Sequence, residues 1–135
     1  QGKHIQIFLA KNPTSFNQTL STIKTLGAKH VLFVLNDRIP DGRDVSWIWD
    51  IELESFIDNF KQITVSGDRV YDMALRLEYA NESQKYNAKV KSFENLEEAI
   101  AFGLESISKN ETLYILPTYS AMLEVRKILT GRKIL

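Results

Sequence analysis

The chain has 135 residues, 44% hydrophobic and 25% charged, with 17 basic and 17 acidic side chains and a formal net charge of zero. Such a composition predicts one globular domain with a single core, and the charge balance argues against a nucleic-acid binder. The absence of cysteine excludes disulfides, thiolate metal sites and a cysteine nucleophile from this chain, while no apolar run approaches the ~18 residues of a membrane span and no signal peptide is recognisable, so a cytoplasmic domain without membrane insertion is expected.

Apolar runs alternate with segments of helical period along almost the whole length. His4–Ala10 reads as a first strand. Asn12-Pro-Thr-Ser then offers capping side chains and a first-turn proline, followed by an apolar stripe at Phe16, Leu20, Ile23 and Leu26 that Gly27 terminates. Val31–Leu35 is a second strand, apolar throughout and therefore expected to be buried on both faces. Gln62–Ser66 is a third, with Asp68 as the expected cap of a helix whose inner stripe is Val70, Met73, Ala74 and Leu77. Tyr86–Val90 is more polar and is expected near an edge. Asn95-Leu-Glu-Glu98 has capping-box spacing and precedes the stripe Leu96, Ala99, Ile100, Gly103, Leu104 and Ile107. Leu113–Leu116 is the last strand, and a final helix from about Ser120 is expected to bury Met122, Val125, Ile128 and Leu129.

This alternation predicts an α/β fold, a three-layer Rossmann-like domain with a mainly parallel sheet of five or six strands. In such sheets, ligands and partners gather at the carboxyl ends of the strands. The turns expected there are Lys11-Asn12-Pro13, residues 36–50, Ser66-Gly67-Asp68 and Pro117-Thr118-Tyr119. Neither a Gly-x4-Gly-Lys-Ser/Thr phosphate loop nor a Gly-x-Gly-x-x-Gly turn is present. His4 and His30 fall at the opposite, amino ends of their strands, where two ordinary surface histidines are expected over a His4/His30 metal pair, so no complete Ser-His-Asp set can be assembled at the expected functional edge. Any chemistry at that edge has to be shared with another protein or domain.

The stretch Asp41-Gly-Arg-Asp-Val-Ser-Trp-Ile-Trp-Asp50 concentrates three carboxylates, one guanidinium and two indoles in ten positions. Gly42 permits a sharp turn, and Arg43 is placed to pair with a neighbouring carboxylate. Asp44 can equally cap a short helix through Val45–Trp49, with Trp47 or Trp49 tucked into the core. Arg69, Asp72 and Arg76, spaced by three and four, are expected to form intrahelical pairs.

The segments LAKNPTSFNQTL, LNDRIPDGRDVSWIWD, VSGDRVYDMALRLEYA and YILPTYSAMLEVRKIL together resemble the C-terminal domain of the MurT family, whose members are Mur-ligase-like subunits of lipid II isoglutaminyl synthase. The resemblance spans essentially residues 1–135, read as a single Mur ligase C-terminal-type domain from a longer chain. Ala10, Asn12 and Pro13 match the first strand–turn of Mur ligases, where Lys11 replaces the usual histidine. The resemblance implies ATP-dependent amidation of the D-glutamate α-carboxylate in the lipid II stem peptide, with ATP and Mg2+ held mainly by a central domain outside this chain. It also implies a GatD-type glutaminase partner, to whose Cys-His pair the C-terminal domain lends an aspartate. Asp44 is the leading candidate for that carboxylate, with Asp41 and Asp50 as alternatives. Arg43 and Trp47 are expected at the partner interface, and Lys11 and Asn12 near nucleotide or substrate. The competing expectations are a stand-alone domain binding a small anion through Lys11, Arg43 and Arg69, and a module that only mediates interaction.

Overall fold

The extended Asn12 caps the first helix, α1 (Pro13–Thr25): its side chain accepts from the Ser15 N–H while Ser15 Oγ accepts from the Asn12 N–H, a reciprocal capping box with Pro13 in the first turn. In the computed structural model, which describes residues 2–134 with side chains to residue 131, α1 follows strand β1 (His4–Ile7). The remaining elements are β2 (His30–Val34), β3 (Gln62–Ser66), α2 (Val70–Gln84), β4 (Lys89–Ser92), α3 (Leu96–Ser106), β5 (Thr112–Pro117) and α4 (Tyr119–Ile134). Three short 3-10 turns, Ser46–Asp50, Leu53–Ser55 and Ile57–Asn59, fill the connection from β2 to β3. The five strands pair in parallel in the order β1-β5-β2-β3-β4.

Alternation along the strands divides the core into two layers. Val31, Phe33, Ile63, Val65, Tyr114 and Leu116 face α1, α2 and the 3-10 segment, meeting Phe16, Leu20, Met73 and Leu77. Leu32, Val34, Leu113 and Ile115 face α3 and α4, meeting Ala99, Ile100, Ala121 and Val125. This is the three-layer arrangement that the alternating pattern predicts, with β2 buried on both faces.

Five details depart from the sequence reading, the first being Leu26, expected in the apolar stripe of α1 but found as its C-cap residue and 53% exposed. Regular β1 pairing ends at Ile7, although the Phe8 and Ala10 N–H groups still donate to Ile115 and Pro117 of β5. The edge strand β4 starts at Lys89 rather than Tyr86, because α2 runs to Gln84, Lys85 turns left-handed (φ 52°), and Asn81 holds both the N–H and the C=O of Ala88. Asp68 does not cap α2; Arg69 is the cap residue, its side chain making no capping hydrogen bond, and Asp68 pairs with Arg38. In α4, Ala121 and Val125 are the buried positions, while Met122, Ile128 and Leu129 are half-exposed.

At the amino edge, His30 is largely buried with Nδ1 unpartnered and Nε2 3.9 Å from Glu111. Burial lowers its pKa from 6.5, against the opposing pull of the Glu111 carboxylate. The folded form therefore binds a proton less readily than the unfolded chain. Stability from this group is complete above the unfolded pKa of 6.5 and is lost as pH falls below it toward the folded value. Urea unfolding at pH 7 and pH 5 should show this decline, and His30→Leu should flatten it.

Candidate functional site at the carboxyl edge of the sheet

The connections after β2 and β5 leave on opposite faces, which makes the boundary between these neighbouring strands the switch point of the sheet. Asn36, 1% exposed, stitches the turns together there. Its N–H donates to Thr118 Oγ1 (3.0 Å), its side-chain amide donates to Ser120 Oγ (3.1 Å), and its Oδ1 accepts the Asp68 N–H (2.9 Å). Gly67, at φ +104°, lies so close to the Leu35 backbone that a Cβ would collide with it.

Asp41 closes the crevice. One carboxylate oxygen accepts the Ser120 N–H at 2.8 Å; the other accepts the Ser120 hydroxyl and the Arg38 N–H. The first turn of α4, a natural anion site, is thus filled by the chain's own carboxylate. Arg38 forks onto Asp68 (3.0 and 3.1 Å) and reaches Glu124 (2.9 Å), holding the Asp68 carboxyl below its usual range. The pinning assigned to Arg43 from sequence is performed by Arg38; Arg43 makes no salt bridge among the described residues.

Beyond this anchor, Gly42 turns at φ +88° and the chain presents Asp44 to solvent. Asp44 Oδ1 accepts the Ser46 N–H at 2.9 Å, an Asx turn that starts the 3-10 segment Ser46–Asp50. That backbone hydrogen bond, reinforced by the Ser46 hydroxyl and by Arg69, keeps the carboxyl below its ordinary pKa. Arg43, Asp44, Ser46, Trp49, Arg69 and Asp72 line one shallow depression. Within it Arg69 bonds Asp72 at 2.6 Å, as expected from the spacing, and also Asp37 at 3.2 Å. Val45 and Ile48 are buried, so the loop is rooted in the core directly after its exposed carboxylate.

The two indoles separate. Trp47 leans on Phe16 (6.3 Å between ring centroids) and packs against the core. Trp49 is 45% exposed, edge-on to Tyr79 at 5.4 Å. Asp50 is exposed. Lys11 is exposed in the turn between β1 and α1, and the Asn12 side chain is committed to its cap. Thr118 is buried, whereas Tyr119 is 44% exposed.

Sequence reading missed Arg76. It does not join an intrahelical pair; its side chain is 2% exposed and forms a bidentate bridge to Glu54 (2.8 Å each), with further bonds to the carbonyls of Ile48 and Ile51. Asn36, Arg38 and Glu124 were also missed as individual site residues. The one signal for the first was a polar side chain directly after an apolar strand.

A family model described as "MurT ligase C-terminal" matches residues 9–122. The MurT subunit of lipid II isoglutaminyl synthase (glutamine-hydrolyzing) from Streptococcus pneumoniae is 35% identical over 136 residues, an alignment covering 98% of this chain and 29% of that protein. The subunit of the same name from Staphylococcus aureus is 41% identical over 80 residues, 58% of this chain and 18% of that protein. A solved murein peptide ligase from Psychrobacter arcticus superposes with a TM-score of 0.59 at 13% identity, covering 93% of this chain and 27% of that one. The fold is that of Mur ligase C-terminal domains, and this chain spans less than a third of its curated relatives' length. No helix among the described residues is long and apolar enough to cross a membrane.

Proposed function

This chain belongs to the MurT ligase C-terminal family, and from that premise we propose that it is the domain of a lipid II isoglutaminyl synthase ligase subunit that docks the glutaminase subunit and completes its active site with Asp44. The full enzyme would act in the cytoplasm, amidating the D-glutamate α-carboxylate of the stem peptide with ATP and Mg2+. The observation that carries the reading is the division of labour in one loop. Asp41 is consumed by Ser120 and Arg38, while Asp44 stands exposed, ionised and backed by a buried scaffold.

Such a carboxylate accepts the N–H of a partner histidine, fixes its tautomer and stabilises the imidazolium that forms when the base takes a proton. The chain contributes no histidine of its own at this edge, so the base belongs to the partner. Two anion-binding groups among the described residues are already occupied: the α4 amino end is filled by Asp41, and Arg69 is shared between Asp37 and Asp72. The same occupancy disfavours the stand-alone anion-binding reading. Lys11 and Arg43 are exposed cations left to meet a phosphate or carboxylate of a neighbouring domain. The test is glutamate release from glutamine by the assembled subunits, with and without Asp44→Asn.

The exposed Trp49 takes the anchoring part assigned from sequence to Trp47. Large aromatic anchors at an interface centre are worth about 2 kcal/mol or more. Trp49→Ala should therefore weaken the complex by roughly 30-fold in Kd, measured by titration calorimetry. Trp47→Ala should instead lower the melting temperature, because it empties a contact against Phe16.

A further inference from the structure

The geometry points to Arg76 as a positioning residue for Asp44, an inference that rests on the proposed role of that carboxylate. Arg76 lies on α2 and enters the core rather than solvent. Nε donates to the Ile48 carbonyl at 3.0 Å and Nη2 to the Ile51 carbonyl at 2.6 Å, while Nη1 and Nη2 hold Glu54. These two carbonyls lie within and just after the 3-10 segment Ser46–Asp50, and the amide at its start is the one that Asp44 accepts. Trp49, at the same segment, covers the guanidinium at 5.2 Å. One planar, permanently charged group thus grips one acceptor within this short turn and one just after it, with the Trp49 ring over it. A lysine, with one point of charge, cannot reproduce that fork.

A 3-10 turn of five residues has little stability of its own, so its direction depends on what holds its carbonyls. Asp44, exposed and bonded only locally, takes its direction from this turn. Misplacing a catalytic contact by about 1 Å costs roughly 100-fold in rate. A role confined to stability would leave turnover of the assembled complex unchanged at temperatures where the domain is folded.

The test uses the full ligase chain with its glutaminase subunit, at saturating ligase and well below every variant's melting temperature. Arg76→Lys is expected to lower glutamine turnover by about 10- to 100-fold. Ile100→Ala, which opens a hole in the opposite core layer, should lower the melting temperature and leave turnover within about 2-fold of the parent. Parent-like turnover in Arg76→Lys would overturn the assignment while leaving Asp44's role intact, provided Asp44→Asn is impaired. An unimpaired Asp44→Asn would overturn both, since Arg76 is argued to act through Asp44. Native-state hydrogen exchange on the unaltered protein reads the same scaffold without a substitution: the Ser46 amide should be protected, and free exchange there would count against the clamp.

Discussion

Asp44→Asn is expected to lower glutamine hydrolysis by the assembled complex by about 1,000-fold while leaving subunit affinity within a few-fold of the parent. The size follows from what an orienting carboxylate does for a catalytic histidine. It accepts one N–H, so that the other ring nitrogen is free to take a proton, and it then faces the imidazolium. An asparagine is nearly the same shape, but its amide can donate where an acceptor is required, which favours the wrong tautomer; equivalent changes in histidine triads cost up to about 10⁴-fold. Subunit affinity should persist because the exposed aromatic surface, Trp49 above all, is untouched. Steady-state glutamate release at saturating ligase subunit, paired with calorimetric affinity, separates the two quantities. A variant that bound normally and hydrolysed glutamine at the parent rate would remove Asp44 from the site.

The sheet was legible because each strand states its environment in its own composition. Val31–Leu35 has no polar position and can only be a strand covered on both faces, and the Asn12-Pro13 and Asn95 caps mark their helices by chemistry that acts over four residues. The exposed Asp44 and the turn at Gly42 were equally readable, being local. What could not be read were partners distant in sequence. Arg76 has the helical spacing of a surface ion pair, and nothing nearby announces that Ile48, Ile51 and Glu54 will surround it. Arg38 and Asp68 are 30 residues apart. Trp47 and Trp49 are two residues apart, yet one packs on Phe16 and the other on Tyr79, because the turn between them is 3-10 rather than extended. On paper Asp44 led, with Asp41 and Asp50 as alternatives, but nothing local showed that Asp41 is bound within the chain. The approach of α4 and the Arg38 N–H tie Asp41 to the fold.

That distinction gives the second large effect. Asp41→Ala should destabilise the domain by about 3 kcal/mol, lowering its melting temperature by roughly 10 °C. The carboxylate accepts from the Ser120 N–H, the Ser120 hydroxyl and the Arg38 N–H, and alanine leaves all three donors short of a partner at a half-buried junction. It also removes the negative charge from the amino end of α4. Asp41→Asn should recover a good part of the loss, about half, because its carbonyl oxygen can still cap Ser120. Asp44→Ala should melt with the parent, since the one backbone donor it accepts, Ser46, is in an exposed turn. Thermal melts of these variants therefore sort the loop's carboxylates by what they bind within the chain, independently of any partner. Were Asp44→Ala to melt well below the parent and Asp41→Ala with it, the assignment of one aspartate to the fold and the other to the partner would have to be reversed.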